Sequence, residues 1–591
     1  MTAKKEFLPS PWLAPALLVA AIALAYANSL HAPWIFDDAG AVVDNPTIRT
    51  LASLDVLRPP ADGSTTTGRP LVNLTFALNY ALSGENVWSY HALNLALHAG
   101  AALLLLGLLR RAMAPAPAFL AAALWALHPL QTESVVCIAQ RTEILCGFLF
   151  LLTLYAFARA SAPAFHRSRW LAVSIAACLL GMATKEVMVT APLIVFLYDR
   201  TFVAGAFAAA WRARRGYYLA LAATWLLLAL LVAQSAGARG ASAGFGLGVT
   251  PWTYLLRQSE ALVLYLRLSL WPHPLVLDYG TAIAGSLAEA WWQSLLVLAL
   301  LAATGWALVR RPILGFAGAW FFLILAPSSS FVPLVTQTMA EHRMYLPLAA
   351  VVVLLAVALH SRFGARAAAF LAVAALACFA ATVARNRDYR DAVTIWTDTA
   401  AKLPQNPRAH HNLALALHHA GRAAEAHERF ARAVALDPGY VTAHYNWAVA
   451  LLGDGRVSEA AAQFAATLRL APDHLDAHRQ LARLAAQSGR SAEIETHLAA
   501  ILRLVPDDLA AHRQLGLLLA RSERLAPAAE HFRAVLRLAP ADADAHANLG
   551  NVLLLAGQPR EAIACYEASL RLRPDDARTR ENLQLARDAL R

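Results

Sequence analysis

PGYVTAHYNWAVALLGDGRVSEAAAQFAATLRLAP, running from Pro438 to Pro472, is the stretch that decides the fold. Two helix-forming runs lie either side of the turn at Gly455, and a proline closes each end. The proline returns at Pro404, Pro438, Pro472, Pro506, Pro540 and Pro574, each 34 residues after the last. The pairs Ala409-His410, Ala443-His444, Ala477-His478, Ala511-His512 and Ala545-His546 keep the same phase, as do the ring positions Phe430, Phe464, Phe532 and Tyr566. Gly421, Gly455, Gly489 and Gly557 mark the turn within each unit. Such a period belongs to stacked helix-turn-helix units, each burying its apolar face against the next.

A 34-residue period with these marks is that of tetratricopeptide repeats, so a solenoid of about five repeats plus a terminal helix from Asp575 is expected over residues 404–591. A concave groove for an extended peptide or protein is one reading of it; a structural or oligomerising role is the other. One histidine per unit is what repeat register alone produces, and no metal is assigned to that row.

Upstream the solvent changes. From Pro11 to about Val383 the chain is built of apolar runs long enough to cross a bilayer, and the whole sequence is 58% hydrophobic with a mean hydropathy of +0.47. The formal charge of +11 is not a nucleic-acid signature, because the basic residues cluster in short connections between apolar runs. The five cysteines show no Cys-x-x-Cys pair or other paired spacing, so neither a disulfide framework nor a zinc site is supported. Lys4, Lys5 and Ala25-Tyr26-Ala27 resemble a signal peptide, but Pro11–Leu30 is long enough to span and is read as a retained first helix.

Charge then sets the threading. Lys4-Lys5, Arg110-Arg111, Arg159 with Arg167 and Arg169, Arg200 to Arg215, Arg310-Arg311, and Arg362 with Arg366 are all placed on the cytoplasmic side. An even number of crossings between successive clusters, plus a last one near Ala367–Val383, totals eleven and leaves the repeats outside the cytoplasm. The stretch Tyr254–Leu270, with Arg257, Glu260 and Arg267 on one face, is read as lying in the outer interface. The resulting division is a membrane domain over 1–385, a connector over 386–403 and the repeats from 404.

This threading brings loop 31–90, HPLQTESV (His128–Val135), Lys185-Glu186 and Glu341-His342-Arg343 to one outer face. Asp37 and Asp38 sit at headgroup depth, where neighbouring acids raise one pKa and suit a general base; two solvated loop aspartates are the plain alternative. Arg69 is either a fork for a lipid phosphate or an interfacial anchor. His128, Glu133, Arg141 and Glu143 crowd one hairpin tip, Lys185-Glu186 another, and no spacing among them is diagnostic of a metal. Asn73-Leu74-Thr75 matches a glycosylation sequon.

FDDAGAVVDNP, GRPLVNLTFALNY, HALNLALHAG, HPLQTESVVCIAQRTEIL, the Thr184-Lys185-Glu186 turn and EHRMYLP, followed by the repeats, resemble the transmembrane and tetratricopeptide repeat O-mannosyltransferases and their bacterial relatives. The resemblance runs in order along nearly the whole chain. It implies an all-α GT-C-type glycosyltransferase of the bacterial cytoplasmic membrane, moving a sugar such as mannose from a polyprenyl-phosphate carrier to a protein hydroxyl. It implies Asp38 as the base with Asp37 as its partner, and Arg69, Arg141, Lys185 and Arg343 on the carrier phosphate. His128, Glu133, Glu186, Glu341 and His342 would shape the sugar and acceptor pocket, with no metal assigned and a divalent requirement open. A non-catalytic membrane scaffold for envelope assembly, or an enzyme glycosylating a lipid or polymer, are the rival readings.

Overall fold

Each of the eleven apolar stretches expected to cross a membrane folds as a helix in the computed structural model, which describes residues 12–162, 166–239, 244, 249–281, 286–330 and 332–591. Lys4 and Lys5 lie outside these residues. The protein is all-α, with no strand among the described residues. Five stretches are long and apolar enough to cross a membrane: Trp88–Leu109, Ile138–Ser161, Phe207–Ser235, Leu287–Arg310 and Leu348–Arg390. Leu13–Ser29, Pro115–Ala126 and Pro312–Leu325 are shorter apolar helices. Helix Pro251–Leu270 is not among them. It pairs Arg257 with Glu260 at 2.6 Å and turns Tyr254 and Gln258 onto the carbonyls of Ser328 and Thr338.

Contacts divide the chain into two units, Met1–Ala409 and His410–Arg591. In the first, small residues let helices approach: a Cβ on Gly147 would lie 2.4 Å from the Tyr345 ring, and one on Gly315 2.3 Å from the Leu308 backbone. Tyr345 is the knot of this packing. Its carbonyl accepts the Trp125 indole at 2.8 Å and its hydroxyl meets His98 Nδ1 at 2.9 Å, so a buried polar ring joins three distant helices. The connector packs into the same unit. Asp391 caps helix Ala392–Lys402, Lys402 reaches the carbonyl of Leu275, and Arg408 forks onto Asp278. Residues 404–409, assigned to the repeats by their proline phase, therefore pack with the membrane unit.

The second unit is a run of helix pairs, from the part of Pro407–His419 beyond Ala409 with Ala423–Leu436 to Ala543–Leu555 with Pro559–Leu572, closed by Ala577–Asp588. Phe430, Phe464, Phe532 and Tyr566 are fully buried at the repeat spacing seen in the sequence. The turn glycines adopt φ values of 68 to 75°, and Glu523 stands at the equivalent place with φ 60°.

Candidate active site

The four motifs that charge placed on one face meet in space. Loop 31–90 turns back through Phe36, whose φ of 56° is costly for a ring-bearing residue and is held by an edge contact with Trp396 at 5.4 Å. That turn aims two neighbouring carboxylates apart. Asp38 is buried, one oxygen taking the Ala139 amide at 2.6 Å and the other the Ile35 amide at 3.0 Å. Asp37 is partly exposed, and its carboxylate receives no hydrogen bond among the described residues. Burial pushes Asp37 up to about 6, against the pull of Arg408 and with a further push from Glu133 and Asp278. Burial likewise lifts Asp38 to about 7, opposed by its two amides.

Two ion pairs stitch the loops beside it. Arg69 binds Glu186 at 3.1 Å, and Lys185 binds Glu143. Glu133 takes the His342 amide at 2.9 Å and its Nδ1 at 2.7 Å, while His342 Nε2 lies 3.9 Å from Glu143. Burial raises Glu133 to about 8 and pushes His342 well below the usual imidazole range. Glu341 accepts from the Val276 amide and the Tyr279 hydroxyl, and burial raises it to about 8. A narrow cleft opens here with Glu143 and Arg343 on its polar side and Cys146, Val187, Ile324, Leu346 and Pro347 on its apolar side.

Two expected site residues, Arg141 and His128, serve as supports, and a third, Arg343, is both braced and open to the cleft. Arg141 is fully buried: it donates to Asn94, Thr75, Asn79 and the Tyr90 carbonyl and lies 4.5 Å over the Phe76 ring, so its donors are spent inside the protein instead of on a bound phosphate. His128 caps the turn after it through Nδ1 to the Leu130 amide, and burial lowers it to about 4. Arg343 donates to the carbonyls of Ser328, Thr338 and Gln337, yet still lines the cleft. The sequon is a chance match, because Asn73 is fully buried and bonded to Asn45, Thr47 and Val56.

Sequence reasoning missed Asp278, Tyr279, Arg385 and Arg408. Asp278 and Arg408 are 130 positions apart, and no local pattern marks either. Arg385 ends the last apolar helix on Asp388 and Asp398 at 3.0 and 2.6 Å; a buried charge at a helix end was its only signal. No group of three or more metal-ligating side chains gathers among the described residues.

Models of the tetratricopeptide repeat match residues 379–441, 445–508, 495–543, 417–469 and 543–576. Among curated proteins the chain is 33% identical over 198 residues to mouse protein O-mannosyl-transferase TMTC3, covering 32% of this chain and 21% of that protein. It is 31% identical over 217 residues to human TMTC4, covering 31% and 29%. With Drosophila melanogaster Tmtc2 it shares 29% identity over 313 residues, 49% of this chain and 33% of that protein. These matches span a fifth to a third of the relatives' own lengths. Among solved structures, YrrB, a TPR protein with an unusual peptide-binding site, aligns at 21% identity and a TM-score of 0.28, covering 33% of this chain and all of that one. The chain is all-α, with apolar helices and a tetratricopeptide solenoid, and over about a third to a half of its length it is similar to the TMTC protein O-mannosyl-transferases.

Proposed function

We propose that this protein is an integral-membrane glycosyltransferase of GT-C type that moves a sugar, mannose by kinship, from a polyprenyl-phosphate carrier to a hydroxyl of a protein acceptor outside the cytoplasm. The observation that carries the reading is Asp37: a carboxylate left without hydrogen bonds at a strained turn, within reach of the charges of Arg408 and Arg69. In this reading Asp37 is the general base and Asp38, pinned by two amides, holds the loop that presents it, which reverses the order favoured by sequence.

Asp37 takes the proton of the acceptor hydroxyl as its oxygen bonds the anomeric carbon. The bond from that carbon to the carrier phosphate breaks, and its electrons leave on the phosphate. A phosphate leaves without being protonated, so one carboxylate suffices. Lys185, Arg69 and Arg343 offset the growing charge, each already held by a neighbouring acid or carbonyl that fixes its position. The apolar side of the cleft suits the first isoprene units of the carrier. The Glu133–His342 pair stands beside Glu143, which holds Lys185. The solenoid suits an extended stretch of the acceptor protein.

Purified protein in lipid nanodiscs, given polyprenyl-phosphate mannose and an acceptor drawn from proteins that lose hexose in a deletion strain, tests this directly. Transfer that persists in the Asp37→Asn, Asp38→Asn double variant would show the pair is not the catalytic centre and favour the scaffold reading.

A further inference from the structure

The histidines of the solenoid do more than keep register. On the first helix of its unit, His478 donates Nε2–H to the Pro472 carbonyl at 2.9 Å, and His512 does the same to Pro506 at 2.9 Å. That clasp explains why a histidine recurs there. It also fixes the tautomer, leaving Nδ1 of each ring with a free lone pair. Opposite that lone pair, on the second helix of the same unit and 19 residues on, stand His497 and His531. Nδ1 meets Nδ1 at 3.0 Å in the first pair and at 2.9 Å in the second, all four rings being partly accessible or close to the surface.

The corresponding residue in the preceding unit is Gln463, whose amide contacts His444 Nδ1 at 2.7 Å. A glutamine thus stands where the second imidazole stands in the next two units, so the repeat needs no second imidazole for packing. Metal-bound histidines characteristically give their other N–H to a carbonyl, which orients the ring and enriches its donor nitrogen. The clasp supplies that arrangement twice. With metal–nitrogen bonds of 2.0–2.1 Å, the observed separations open an angle of about 90° at a shared ion, the cis relation of a tetragonal site and narrower than a tetrahedral one.

We propose that His478 with His497, and His512 with His531, are two binding sites for a tetragonal late transition-metal ion, Cu2+ or Ni2+, each bound through paired Nδ1 atoms with water completing the shell. Each contact is a hydrogen bond in which His497 or His531 donates Nδ1–H; as that proton moves to Nε2 of the same ring, both Nδ1 lone pairs turn onto the ion. Bound metal ties the two helices of a unit together and stiffens two adjacent repeats.

Full-length protein, purified without a histidine tag and titrated with Cu2+, tests this. The His497→Gln, His531→Gln double variant copies the glutamine already used at the preceding unit. Wild type is expected to bind two more equivalents than the double variant, and each single variant one fewer than wild type. Equal stoichiometry in wild type and double variant overturns the proposal. A second measurement needs no variant: the first two equivalents in wild type should give an electron paramagnetic resonance spectrum split by two imidazole nitrogens, and a spectrum without that splitting overturns it too.

Discussion

Asp37 and Asp38 are neighbours in sequence and opposites in environment. Asp38 spends both oxygens on amides, while Asp37 keeps its own open, so their substitutions separate by outcome. Asp37→Asn should lower transfer by about 10²- to 10⁴-fold with unchanged thermal stability, the scale of a lost general base. Because the base works deprotonated and Asp37 sits at about 6, transfer should climb with pH through that region and level off above it; a pH–rate profile checks the acid limb. Asp38→Ala should cost stability as well as activity, since it strands the Ala139 and Ile35 amides, about 1–3 kcal/mol for each group left buried and unmatched. Arg141→Met should lower the unfolding temperature of the membrane unit, by removing one donor set from the acceptors of four residues, Asn94, Thr75, Asn79 and Tyr90. Sequence singled out most of these polar residues, because charges near apolar runs stand out. It did not separate the exposed from the enclosed, which depends on where residues a hundred positions away come to rest.

Among elements, the solenoid was the most legible, because its proline and glycine marks repeat with the chemistry of the turns they make. Its exceptions are testable. Glu523 occupies a left-handed turn where other units use glycine, and Glu523→Gly should stabilise the unit by up to about 1 kcal/mol in thermal unfolding. Gly550 has the opposite constraint: an added Cβ would lie 2.7 Å from the Tyr566 ring, so Gly550→Ala should destabilise by about 1–3 kcal/mol. The membrane helices were equally readable as apolar runs. What escaped was the connector, whose polar sequence gave no hint that helix Ala392–Lys402 would supply Trp396 behind Phe36. The partner histidines escaped for a similar reason, since a row seen once per unit looks like register until its opposite face is known.

At the scale of the molecule, charge counting brought together motifs that the fold does join: Arg69 to Glu186, Lys185 to Glu143 and Glu133 to His342. The same count makes a claim about sides. A cysteine at exposed Asp62 should react with an impermeant maleimide in intact cells, whereas one at exposed Arg110 should react only after permeabilisation. Matching reactivity at both positions would undo the threading and the site with it.

The fork of Arg408 onto Asp278 has a practical corollary for anyone wishing to exchange modules among such chains. The natural seam is not the proline that opens the first repeat but a point after Ala409. A chimera spliced at Pro404 would donate its foreign arginine, or none, to an aspartate deep in the host. One spliced beyond the fork carries its own counter-ion along, and foreign repeats become interchangeable cargo.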